Sequence, residues 1–368
     1  QEETILVLCP VAKDPKQREM VFVRETNAHI AVWEGHKLTK SEATAVTGID
    51  NVQWTADFEA SFLELAKQVE NIYINTNEHY RAKLETQTRE DRFIAWCKEQ
   101  FPKKNYEKSN FILQGLRGVK DPEEIAHIQQ ACDITEKGFK RVLGFVTPGV
   151  WEFEIEAEFA HIFLRNRSKG FAYTPIIASG ANSNVLHYIE NSQQCQAGEL
   201  ILIDVGAEYG NYSSDMTRTI PVSGRFTPRQ RAVYDAVLKV KNEATQLLMP
   251  GVLWKAYHIE VGKLMSSALV DIGLLTKKEV SDNAEAYKKY FMHGTSHHLG
   301  LDTHDYGLLD KPMQANMVFT VEPGIYIPDE GFGIRLEDDV VVQATGAPVN
   351  LMANIPIDPD EIEALMNP

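Results

Sequence analysis

The feature that most constrains this chain is an apolar run that ends in an acid and is followed by a second acid. Leu200-Ile201-Leu202-Ile203-Asp204-Val205-Gly206 precedes Asp215-Met216-Thr217-Arg218-Thr219-Ile220, the second aspartate eleven residues after the first. A run this rich in Ile, Leu and Val reads as a buried strand, and the second segment as its hairpin partner. With Tyr209-Gly210 as a two-residue turn, Glu208 faces Asn211, Gly206 faces Ser213 and Asp204 faces Asp215. Directly opposed residues in an antiparallel pair have Cβ atoms roughly 4.5–5.5 Å apart, and like charges there repel. Two carboxylates so placed on an apolar strand need a positive charge between them, and a divalent cation is the simplest compensation. Taken alone, the pair also reads as two surface aspartates on an exposed hairpin, since Tyr-Gly is not a preferred two-residue turn.

At 368 residues the chain has room for two domains, each with its own core. Its 37 basic and 52 acidic residues leave a net charge of −15, which argues against nucleic acid or an anionic membrane as partner. No apolar stretch approaches the roughly 20 residues of a transmembrane helix. Cys9, Cys97, Cys132 and Cys195 are scattered, without a Cys-x-x-Cys pair. That pattern predicts free, buried thiols in a reducing compartment, hence the cytoplasm. A start at Gln1 is also compatible with a removed upstream segment.

Residues 1–115 read as a small α/β domain. Thr4-Ile5-Leu6-Val7-Leu8, Met20-Val21-Phe22-Val23, His29-Ile30-Ala31-Val32-Trp33 and Ile72-Tyr73-Ile74 are strand-like, and helices are expected over 58–69 and 89–100. His29, His36 and His79 are isolated and read as ordinary surface or core residues. Near residue 116 the character changes. Asp121-Pro122-Glu123-Glu124 supplies a helix cap, a proline at the first helical position and a glutamate that reaches back. Ile125, Ile128, Cys132, Phe139 and Val142 then mark a buried face, and a second helix is expected over 151–166. Thr227-Pro228-Arg229-Gln230 opens a similar unit. Thr147-Pro148-Gly149-Val150 and Met249-Pro250-Gly251-Val252 each close one long helix and lead into another. This predicts an α+β domain of two related halves, helices outside and sheet inside, with a site between the halves.

Three further segments carry chemistry. His293-Gly294-Thr295-Ser296-His297-His298-Leu299-Gly300-Leu301-Asp302-Thr303-His304 holds four of the eleven histidines, and its glycines predict loop and strand rather than helix. Val318-Phe319-Thr320-Val321-Glu322-Pro323-Gly324 is an apolar strand closed by a glutamate. In Gly333-Ile334-Arg335-Leu336-Glu337-Asp338-Asp339, Arg335 and Glu337 share a strand face, so the arginine would orient the carboxylate beside it. Asp338 and Asp339 read as solvent-facing acids. Asp204, Asp215, Glu322 and Glu337 together carry four negative charges, which two divalent cations would neutralise. His297 among them favours Mn, Co, Fe or Zn over calcium. Two such ions can share carboxylates, acidify a water and clamp a carbonyl, which points to hydrolysis.

These segments, in this order, resemble the dimetal pita-bread peptidases, and within them aminopeptidase P and its relative prolidase. The resemblance covers essentially the whole chain. It implies a smaller α/β creatinase/prolidase-like domain over 1–116, lacking its first segment, and a pita-bread catalytic domain over 117–368, with helices around a curved antiparallel sheet in pseudo-twofold arrangement. It further implies that Asp204 binds one metal, that Asp215 and Glu337 bridge two, and that His297 and Glu322 hold the second, Mn being expected and Co, Zn or Fe the alternatives. Glu322 would shuttle the proton, His293 and His304 would hold the substrate and the developing oxyanion, and His187 would lie on the substrate side. Tyr326 and Arg335 would support them, and His298 has no assigned role. The implied substrates are proline-containing peptides, and the implied assembly is a homo-oligomer, dimer or tetramer. Three functions follow: removal of the residue before proline from longer peptides, the same chemistry confined to Xaa-Pro dipeptides, or a scaffold without metal. The filled ligand set disfavours the third.

Overall fold

The computed structural model describes residues 3–27, 30, 37–76 and 86–367. The chain divides into two compact units, Gln1–Asn110 and Phe111–Pro368.

In the first unit β1 (Ile5–Leu8) runs antiparallel to β2 (Glu19–Val23), and β3 (Val52–Trp54) lies parallel to β2. A second, parallel pair joins β4 (Asn71–Ile74) to β5 (Asn105–Lys108). Met20, Phe22 and Leu65 form one small core, and Ala66, Ile72, Ile74 and Cys97 another. The helix expected over 58–69 is shorter, Phe58–Ala66, while Arg89–Gln100 is helical as expected, opened by a Thr88–Asp91 capping box. Of the strand expected at His29–Trp33 all but Ile30 lies outside the described residues, and Ile30 is helical.

The second unit repeats one theme. The helices Pro122–Leu143 and Glu152–Arg165 precede β6 (Ile176–Ser179), β7 (Leu200–Val205), β8 (Glu208–Tyr209), β9 (Tyr212–Ser213) and β10 (Met216–Pro221). The helices Pro228–Gln246 and Trp254–Asp271 precede β11 (Val318–Val321), β12 (Gly324–Ile327), β13 (Phe332–Arg335) and β14 (Asp338–Val341). Asp121 and Thr227 both cap in the expected way, each side chain accepting from the backbone three residues on, with proline at the first turn. Trp151 lies just outside its helix as the N-cap residue.

β10, β7 and β6 form one antiparallel sheet, and β11 and β14 pair in another with β15 (Val349–Asn350). The two meet at a seam: the Glu337 N–H donates to Thr217 O at 3.0 Å, and the Arg335 N–H to Thr219 Oγ1 at 3.2 Å. The core beneath joins Phe139, Phe159 and Phe163 to Ile177, Ile201 and Ile203 in the first half, and Val237, Val261 and Met265 to Val318, Phe319 and Ile334 in the second.

The central hairpin differs from the expected register. Glu208 pairs with Ser213 and Tyr209 with Tyr212, so the turn is Gly210-Asn211. Both turn residues have positive φ, 59° and 71°, the backbone a tight hairpin needs. Asp204 therefore faces Thr217, not Asp215. Asp215 lies two residues further along, on the same face and diagonal to Asp204. All four cysteines are free and buried, as expected. Among the described residues no helix is long and apolar enough to cross a membrane.

Candidate metal centre

The seam collects the acids. Asp204 is 8 % exposed, Asp215 4 % and Glu337 2 %, on strands apolar enough to bury them. Oxygens of Asp215 and Glu337 and a nitrogen of His297 all lie within 4.8 Å of one another. His297 Nε2 is 3.3 Å from Asp215 Oδ2 and 3.7 Å from Glu322 Oε1. Its Nδ1 faces His298 O at 2.9 Å, so Nδ1 carries the proton and Nε2 presents its lone pair to the cluster. Gly324 and Pro323 end the run that delivers Glu322, whose backbone N–H is held by Thr295 O at 2.8 Å.

The electrostatics are those of uncompensated negative charge. Burial, then the neighbouring Asp204 carboxylate, raises the Asp215 carboxyl well above the usual range. Burial and Asp215 do the same to Glu337. Burial pushes Glu322 up to about 7 against the opposing pull of His297. Buried acids that raise one another in this way fit cation ligands, and a carboxylate set with one imidazole suits divalent transition metals.

Supporting contacts tie the acids in place. Arg335 Nη2 donates to Asp204 Oδ2 at 2.5 Å, so the carboxylate it grips is Asp204 rather than its sequence neighbour Glu337. Glu337 Oε2 instead accepts from Thr217 Oγ1 at 2.6 Å, and Arg335 Nε reaches that same hydroxyl at 3.2 Å. Tyr326, fully buried, joins Arg335 Nη1 at 2.9 Å to His293 Nε2 at 2.8 Å. His293 lies 3.8 Å from Glu322 Oε2, and burial lowers its pKa to about 3, so it is neutral at pH 7. The half-buried His304 sets its ring perpendicular to that of His297, centroids 4.4 Å apart. His187 is exposed, close enough to His293 to act on its charge.

Sequence reasoning missed Tyr173, whose hydroxyl sits 2.5 Å from Asp204 Oδ1 and 2.6 Å from Asp215 Oδ1. Its only signal is an aromatic residue before Thr174-Pro175. Sequence reasoning also misjudged Asp338 and Asp339, which are 1 % and 0 % exposed rather than on the surface. Asp338 is gripped by Arg218 Nη2 at 2.6 Å and by Lys241, and Asp339 Oδ2 accepts the Asp215 backbone N–H at 3.0 Å. His298 is core: it packs against Phe319 with centroids 4.4 Å apart.

Gly206 is required where the hairpin passes Tyr173. A Cβ there would overlap Ser214 O and come within 3.1 Å of the Tyr173 ring. Backbone cannot give as a side chain does, so Gly206→Ala should cost about 3 kcal/mol, the upper end for overpacking, read as a lowered denaturant midpoint.

Residues 126–344 match the model of metallopeptidase family M24, and residues 1–73 that of the aminopeptidase P N-terminal domain. The chain is 34 % identical over 382 residues to the Xaa-Pro aminopeptidase of Escherichia coli K12, covering 100 % of this chain and 86 % of that protein. Proline aminopeptidase P II from Yersinia pestis superposes with a TM-score of 0.84 at 33 % identity, over 95 % of this chain and 83 % of that one. Zn-substituted E. coli aminopeptidase P in complex with product gives the same score and identity, over 95 % and 82 %. The fold is accordingly a pita-bread domain preceded by an aminopeptidase P N-terminal domain, and the chain belongs to metallopeptidase family M24.

Proposed function

We propose that this protein is a two-metal aminopeptidase that removes the first residue from peptides with proline second. The observation that carries the reading is the convergence of Asp215, His297 and Glu337, with Asp204 and Glu322 beside them, in a chain similar along its whole length to Xaa-Pro aminopeptidases. Asp204, Asp215, His297, Glu322 and Glu337 would hold the two cations; Mn is the expected metal, with Co, Zn or Fe the alternatives. When bound, the pair neutralises the carboxylates, acidifies a water and polarises the scissile carbonyl.

The chain's own residues do the rest. Glu322 takes the proton of the attacking water and delivers it to the proline nitrogen. That nitrogen bears no hydrogen in the peptide, so its protonation is what lets the tertiary amide part. His293 and His304 line the side on which the oxyanion develops, His293 held by Tyr326. Arg335 holds Asp204 aimed inward. His187 meets the substrate from the exposed side. The catalytic domain spans 117–368. The protein acts in the cytoplasm, a placement its four free buried thiols support, as a homo-oligomer, dimer or tetramer.

The test is turnover of Xaa-Pro-Yaa tripeptides and Xaa-Pro dipeptides by protein stripped of metal and then reloaded with Mn. Metal-dependent release of the first residue from the tripeptides is expected. Cleavage confined to dipeptides would make the enzyme a prolidase, and metal uptake without turnover of either would refute the reading. His187→Ala should retain its metal and lose about tenfold or more in kcat/KM; loss of metal there would contradict a substrate-side role.

A further inference from the structure

Glu152 is a carboxylate with no exposed surface, at the first turn of the helix Glu152–Arg165, and nothing above gives it a task. It accepts five hydrogen bonds, all from neutral groups. Oε1 receives the Ser179 backbone N–H at 2.8 Å, Ser179 Oγ at 2.7 Å and Asn182 Nδ2 at 3.3 Å. Oε2 receives Tyr188 OH and the Gln193 backbone N–H, both at 2.8 Å. Burying a carboxylate is costly, and a full set of donors is what makes it tolerable. Every one of those donors lies between Ser179 and Gln193, the segment that carries His187.

That segment is anchored at both ends as well. Ser183 ties its start to β13 by accepting the Gly333 N–H at 2.7 Å, and Asn191 ties its end by accepting the Ile177 N–H at 3.0 Å. Between them Val185, His187 and Ile189 are exposed. Leu186 and Tyr188 turn inward on either side of His187: Leu186 packs on the cluster that contains Tyr326, and Tyr188 joins its ring to that cluster and places its hydroxyl on Glu152.

We propose that Glu152 is a positioning residue for substrate binding: through Tyr188 it supplies the hydrogen-bonded inward anchor beside His187 and so sets where His187 stands. The proposal rests on the substrate-side reading of His187 for its effect on turnover, but not for the tie itself. Two variants serve, because Glu152→Gln turns an amide N–H toward existing donors and risks the fold. Tyr188→Phe removes one hydroxyl and leaves the other four bonds.

The experiment measures kcat, KM, bound metal and amide hydrogen exchange for Mn-loaded protein carrying Tyr188→Phe or Glu152→Gln, each with and without His187→Ala. Tyr188→Phe is expected to raise KM on an Xaa-Pro-Yaa tripeptide about fivefold with kcat and metal content little changed, and to change kcat/KM less than twofold once His187 is already alanine. Exchange over residues 185–189 should quicken at least fivefold. A KM rise of equal size in both backgrounds, or a parallel loss of metal, would overturn the positioning role. Unchanged exchange over 185–189 would overturn the tie whatever the assays show. If exchange quickens while His187→Ala itself leaves turnover intact, the tie stands and it is the substrate-side reading of His187 that fails.

Discussion

Replacing Asp215 with Asn, or Glu337 with Gln, is expected to abolish peptide turnover and lower bound metal together. Each substitution keeps the shape of the side chain and removes a negative charge from a set whose function is to hold positive charge. The loss should reach about a thousandfold, equivalent to about 4 kcal/mol of transition-state stabilisation. The same change should act in the opposite direction on the metal-free protein. Burial and Asp204 raise the Asp215 carboxyl well above its ordinary range, so ionising it costs more in the metal-free folded state than in the unfolded chain. Metal-free Asp215→Asn should therefore melt no lower than the metal-free parent, yet gain less on adding Mn. Elemental analysis and paired melting curves check both halves. Near-normal turnover with a full metal complement would remove Asp215 from the ligand set.

The largest loss of stability is expected at Asp338, behind the site. Arg218, fully buried, donates to Asp338 Oδ1 at 2.6 Å, to Glu337 O at 2.6 Å and to Pro356 O at 2.9 Å, while Lys241 and Asn350 take Asp338 Oδ2. Asp338→Ala would leave two buried cations without their anion. Breaking such a pair costs about 3–5 kcal/mol. For a unit of this size that is a fall in melting temperature of roughly 6–20 °C. The effect is also readable by acid titration. Burial alone would raise the Asp338 pKa, but Arg218 and Lys241 override it and hold it at about 2, below the ordinary 3.8. A carboxylate depressed on folding stabilises fully above its unfolded pKa and loses that contribution as pH falls toward the folded value. The native protein should thus shed about 2 kcal/mol between pH 4 and pH 2. Asp338→Asn should be flatter over that interval; an identical acid profile in the two would mean the triad carries no such charge.

Much of this was legible in the amino-acid order because the signals are local. Asp121-Pro122 and Thr227-Pro228 announce their helices within four residues, and the Gly-broken histidine run is indeed irregular chain. The hairpin register was misread because Tyr209-Gly210 was taken as the turn, whereas Gly210-Asn211 is the pair able to adopt positive φ at both positions. Asp338 and Asp339 were misread for a different reason. They lie on a strand buried on both faces, where alternation no longer separates inside from outside, and Arg218 lies 120 residues away. Tyr173 and Glu152 left next to no sequence signal, since a lone phenol or carboxylate acquires meaning only from the groups folded around it.

The seam between the two half-sheets has a mechanical consequence. Asp204 and Asp215 come from one side of it, His297, Glu322 and Glu337 from the other, and among the backbone contacts across it are the Glu337–Thr217 and Ser213–Gly300 bonds. Any cation gripped by both groups works as a clasp, so chelation should loosen the join before it melts either half.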